Sequence, residues 1–80
     1  MDIKYTSHAV ERMIQRKITP SEVEQTILKP DGKILQSLDK WIFYKKFRNR
    51  RDNLVASVAV EKKGNNWEVI TVMINFEVYS

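Results

Sequence analysis

The sequence predicts an α+β domain, with two N-terminal helices packed on one face of a four-stranded antiparallel sheet. Apolar residues recur at helical spacing as far as Leu28, and from residue 33 onward they recur at every second position. Between the two regimes stands Pro30-Asp31-Gly32, a turn by ring geometry and by propensity. Helices that precede all the strands can cover only one face of the sheet they pack on.

For the first helix, Ser7 is the expected N-cap and residues 8–17 the expected span. At helical steps of about 100°, Ala9, Val10, Met13 and Ile14 form one apolar face. His8, Glu11, Arg12, Gln15 and Arg16 spread over the other, with His8, Arg12 and Arg16 spaced one turn apart. The second helix has a stronger start signal. Thr19 and Glu22 form a Thr-x-x-Glu capping box around Pro20, and Ile18 and Val23 occupy the positions of a hydrophobic staple. Val23, Ile27 and Leu28 supply its buried stripe.

Four strands follow: residues 33–38, 41–47, 54–60 and 67–74. Asp39-Lys40 makes the first turn, 48–53 is a polar loop, and Gly64-Asn65-Asn66 sits in the last turn. Residues 54–60 are apolar on both faces, as a central strand requires. Phe43, Phe47, Ile70, Val72 and Ile74 are expected to face the helices, leaving Ile42, Tyr44, Lys46, Thr71 and Met73 on the open face. The tail 75–80 extends the last strand or pairs elsewhere. A partly apolar open face on a small domain implies a homodimer or a partner protein.

Eighty residues make one domain, 1–80. The chain has no cysteine and one histidine, which excludes a disulfide or thiolate scaffold and leaves no ligand set for structural zinc. No cofactor or metal is expected. The opening residues lack the apolar run of a signal peptide, and no apolar stretch is long enough to span a bilayer, so a cytoplasmic protein is expected.

Charge is unevenly placed. Lys40, Lys45, Lys46, Arg48, Arg50 and Arg51 lie within residues 40–51 without an acid, so the rest of the chain sums to −2 against a total of +4. Such a patch suits a polyanion such as nucleic acid or its phosphates, with a solvated loop as the alternative. Trp41 and Tyr44 beside it suit base stacking as well as core packing. Histidine is the residue type that ordinarily changes charge near neutral pH, and His8 stands in the first turn of a helix, where free N–H groups attract anions. With Arg12 one turn on, Ser7, His8 and Arg12 could bind and cleave a phosphodiester, or form a solvated helix face. Cleavage of RNA without metal needs a base, an acid and cations around the phosphorane. The candidates are His8 and Arg12 with Tyr44 and Lys46, while Ser7, Arg16, Lys45, Arg48, Arg50 and Arg51 hold phosphates. These groups meet only if the first helix lies at the sheet edge or the strands curl around its end. No glycine-rich phosphate loop, nucleophile elbow or His-Glu-x-x-His pair is present.

The run Ser7-His8-Ala9-x-x-Arg12-Met13-x-x-Arg16-x-Ile18-Thr19, continued by Val23, Ile27 and Pro30 and later by Val69-Ile70-Thr71-Val72, resembles a bacterial family known as domain of unknown function 4258. Lys17 stands where that pattern has glycine. The family looks related to the RelE-like and BrnT-like toxin folds. That resemblance implies a metal-independent endoribonuclease acting on mRNA or ribosome-associated RNA, restrained by a cognate antitoxin, with Ser7, His8, Arg12 and Arg16 as its marked positions. The alternatives are a nucleic-acid-binding module that does not cleave and a protein-interaction domain.

Overall fold

A computed structural model describes residues 2–78. Its elements run β1 (Ile3–Tyr5), α1 (Ser7–Gln15), α2 (Pro20–Leu28), β2 (Gly32–Leu35), β3 (Lys40–Lys45), β4 (Leu54–Lys62) and β5 (Asn66–Phe76). The α+β class and the two leading helices stand. The sheet has five strands rather than four, in the order β1-β5-β4-β3-β2, and it is mixed. The additional strand is β1, which lies parallel to β5 with Ile3 opposite Trp67 and Tyr5 opposite Val69. Three residues leave too little alternation to see in sequence, and their pairing partner lies more than sixty positions away. The tail contributes Asn75 and Phe76 to β5, and positions 79–80 lie outside the described residues.

Pairing of β1 also decides where α1 begins. Thr6, rather than Ser7, is the N-cap: its hydroxyl accepts the Ala9 N–H at 3.1 Å and donates to the Ile70 carbonyl at 3.0 Å. The Thr6 N–H donates to the Val69 carbonyl at 3.0 Å. One residue thus ties the helix start to the sheet. At the other end the Ile18 N–H reaches the Met13 carbonyl and the Lys17 N–H that of Ile14, a Schellman closure, so α1 stops before residue 17. Lys17 holds the left-handed conformation that closure requires, with φ of 54°. Glycine adopts it without steric penalty.

The predicted apolar face of α1 is only half used. Ala9 and Met13 are buried, whereas Val10 is 43% and Ile14 72% exposed. The helix rests mainly on β5 and β1 while α2 rests on β3 and β4, and Val10 and Ile14 lie on the outer flank of α1. For α2 the start signals are realised in full, and Thr19 and Glu22 exchange both capping bonds. Val23 and Ile27 are buried, but Leu28, expected in its buried stripe, is 55% exposed at the last turn, and Thr26 is buried instead.

The core lies between helices and sheet: Ala9, Met13, Ile18, Val23 and Ile27 against Phe43, Phe47, Val55, Ala59, Val69 and Val72, with Ile3, Tyr5, Trp41, Trp67 and Ile74 around it. Ile70 does not belong to this set. Ala59 pairs with Val69 but Val58 pairs with Thr71, which makes Ile70 an extra residue, a β-bulge. The bulge reverses the alternation. Trp67 and Val69 face the helices before it, and Val72 and Ile74 after it, so reading one unbroken period through β5 misplaces Ile70.

The opposite face has a row structure fixed by register. One row runs Lys4, Glu68, Val60, Lys40; the next Thr71, Val58, Ile42, Ile34; the next Met73, Ala56, Tyr44, Gly32. The Tyr44 phenol lies over Gly32, where a Cβ would collide with it, and its ring stands 5.9 Å from that of Phe76. Among the described residues, no helix is long and apolar enough to cross a membrane.

Candidate nucleic-acid interface

The exposed first turn of α1 carries Ser7 and His8, and Arg12 follows one turn later, half-buried. Arg12 donates through Nε to His8 Nε2 at 3.4 Å and through Nη1 to Gln15 Oε1 at 2.9 Å. The His8 imidazole and the Arg12 guanidinium therefore share one exposed flank of the helix. Arg16 continues the line, half-buried, with Nη1 closed off from solvent and without a partner among the described residues.

The cationic segment divides by task. Arg50 is a staple. Its Nη1 donates to the Lys17 carbonyl at 2.8 Å and its Nη2 to the Arg16 carbonyl at 3.1 Å, and it pairs with Glu22 at 3.3 Å. Nε adds a bond to Asp52 at 2.7 Å, and Nη2 also contacts that carboxylate. The Lys45 ammonium donates to the Lys29 carbonyl at 2.9 Å and faces Asp31 at 4.0 Å. The Lys46 ammonium donates to the Asp52 carbonyl at 2.6 Å. These three cations hold the molecule together. Arg48 and Arg51 are exposed and make no hydrogen bond or ion pair among the described residues.

The expected catalytic set is not assembled. Phe43 belongs to the helix-side core, so its neighbour Tyr44 projects to the far face, where it meets Phe76 and Gly32. Lys46 is tied to Asp52 beyond the end of β3. Neither joins His8 and Arg12, because the sheet itself stands between its two faces. Trp41 is likewise a packing residue, stacked with Phe43 at 6.5 Å under the Lys33 ammonium. What does come together is the cationic loop and the end of the first helix. The grip of Arg50 on the Arg16 and Lys17 carbonyls sets the Arg48–Arg51 loop against the C-terminal end of α1, and His8 lies about 12 Å up that helix from Arg16. Glu11 is the one acid on α1. No three of the His, Asp and Glu side chains among the described residues form a group fit to hold a metal ion.

The family model for "Domain of unknown function (DUF4258)" matches residues 5–74, from β1 through most of β5. The chain belongs to this family. No curated protein and no solved structure matches it. The matched span of this DUF4258 chain holds the Thr6 cap, the His8–Arg12 pair, the Arg50 staple and the bulge in β5. Sequence spacing singled out His8 and Arg12 but could not separate Arg50 from its neighbours. Six cations in one segment look alike until the carbonyls at the end of α1 are placed beside one of them.

Proposed function

We propose that this DUF4258 protein binds single-stranded RNA through its backbone, along the flank of α1 that runs from His8 and Arg12 to the Arg48–Arg51 loop. The observation that carries this reading is the docking of that loop onto the C-terminal end of α1 by Arg50. It extends two cations on one helix into a line long enough for several phosphates. Guanidinium groups suit phosphate because their forked donors match its oxygens. The test is binding of a fluorescent, single-stranded RNA oligonucleotide over a range of salt. Each lost phosphate contact lowers the slope of log K against log salt by about 0.7. Arg12→Ala, and Arg48→Ala with Arg51→Ala, should each weaken binding and flatten the slope. Unchanged affinity and slope in both variants would overturn the reading.

A second reading, cleavage of the bound RNA as in endoribonuclease toxins, draws on the Arg12–His8 contact. In this reading the His8 imidazole takes the proton of a ribose 2′-hydroxyl. That oxygen then attacks phosphorus, forms a 2′,3′-cyclic phosphate and expels the 5′ oxygen, which takes up a proton. Arg12 beside it would stabilise the added negative charge. Incubation with RNA in the presence of a chelator decides between the two. Cyclic-phosphate product made by the wild type and lost in a folded His8→Ala variant establishes cleavage, and intact RNA with retained binding establishes binding alone. A toxin's place beside an antitoxin belongs to this second reading.

A further inference from the structure

The strands' face away from the helices has no element covering it among the described residues, and its rows are sorted by character. Ile34, Ile42, Val58 and Thr71 make one row, with Tyr44, Ala56 and Met73 in the next and Phe76 beyond. Val58 and Ala56 are buried by these neighbours, and Ile34 is exposed. Along one border of the apolar rows lie Lys4 and Lys40, in register across β5 and β4, with Lys62 one step further out. Lys4 is exposed, and neither it nor Lys40 makes a side-chain hydrogen bond or ion pair among the described residues. The only acid among the strand residues of this face is Glu68, whose carboxylate lies 3.7 Å from the Lys62 ammonium.

We propose that this face docks an amphipathic α-helix of another protein, laid across the strands, with apolar residues on the sheet and carboxylates along the Lys4–Lys40 border. Its charge sets the partner's chemistry. The face offers cations on one border and no unpaired carboxylate among its strand residues, so an acidic flank is the complement. A second copy of this chain lacks that flank on its matching surface. The dimensions suit a helix: the apolar rows cross four strands, roughly 14 Å at about 4.8 Å per strand, which about ten helical residues span. Ile34 at the outer end leaves an apolar side chain for such a helix to cover. The site is separate from the proposed RNA-binding flank of α1, which lies on the other side of the sheet.

The probe is a labelled synthetic helix of about 14 residues, with a leucine stripe bordered on one side by glutamates, and a twin with lysine in place of each glutamate. Fluorescence anisotropy should show the acidic peptide binding at least about tenfold tighter than its twin, a difference of about 1.4 kcal/mol. Lys4→Glu with Lys40→Glu alters only the border and should invert that preference while the circular dichroism spectrum stays unchanged. Arg48→Ala with Arg51→Ala should leave peptide binding as it was. Equal binding of the two peptides, or acidic-peptide binding indifferent to the Lys4/Lys40 reversal, would overturn the proposal. Displacement of the peptide by RNA, or a dimer in sedimentation that hides this face, would do the same.

Discussion

Ser57 stands in the middle of β4 with no exposure, opposite Phe43 and Val72, and its hydroxyl has no hydrogen-bond partner among the described residues. A buried hydroxyl without a partner forfeits its hydration and gains nothing in return. Ser57→Ala should therefore stabilise the fold by about 1 kcal/mol, raising the urea midpoint without changing the slope of the transition. Lys17 presents the opposite situation, a side chain where the backbone asks for none. Its φ of 54° is costly for a residue with a Cβ, by about 1 kcal/mol. Glycine removes that strain and gives back part of the gain through a freer unfolded chain. Lys17→Gly should raise the melting temperature by about 3 °C, a net gain of about 0.5 kcal/mol at about 6 °C per kcal/mol in a domain of this size. The departure from the family pattern at this position was visible in the sequence, and the helix closure supplies its physical meaning.

Arg50 acts on elements. Its guanidinium joins the loop before β4 to the end of α1 and the start of α2, through two carbonyls and two carboxylates. Its side chain is 13% exposed, so removing it strands Glu22 and the carbonyls near the interior. Arg50→Ala should cost about 3 kcal/mol, near the lower end for breaking a buried pair. Arg50→Lys should recover little of it, because a point charge cannot serve carbonyls and carboxylates at once. Thermal unfolding of both variants measures this, and equal stability of Arg50→Lys and the wild type would refute it. What was legible at this scale followed interaction range. The Thr19–Glu22 box and the stop at Pro30 are local and were read correctly. Thr6 in place of Ser7 as cap, β1 as a strand, and the extra residue Ile70 all depend on pairing between distant segments, which spacing within a short window does not encode. The assignment of Tyr44 to the open face was right, and it is the reason Tyr44 cannot join His8.

Stability of the whole molecule acquires a pH dependence from Tyr5, on the sheet's β1 edge. Its hydroxyl oxygen is sealed from solvent without a partner among the described residues, and burial, helped by the Glu24 carboxylate, raises its pKa above the ordinary 10.0. Below that value the phenol is neutral in both folded and unfolded chains, and the shift has no effect. Above it the unfolded chain releases the proton first, so stability falls as pH rises through the folded value. Urea unfolding at a series of pH values above 8 should show this alkaline decline in the wild type and a flatter one in Tyr5→Phe. A decline of equal steepness in both would remove Tyr5 as its cause. In the same molecule the folding class, the helix order and the two-faced β4 were legible from residue type and period. The division of the cations into staples and free ends was not, since it exists only once the loop meets the helix.

The parallel contact between β1 and β5 brings residues near the start of the chain beside residues some sixty positions later. On a ribosome, β1 therefore has no neighbour until positions 67–69 have emerged, and Thr6 has nothing to anchor the helix it caps. Long-range closure of this kind is slow. The sheet edge and α1 should accordingly settle only once β5 is in place, and both proposed binding surfaces should form together instead of piecemeal on the nascent chain.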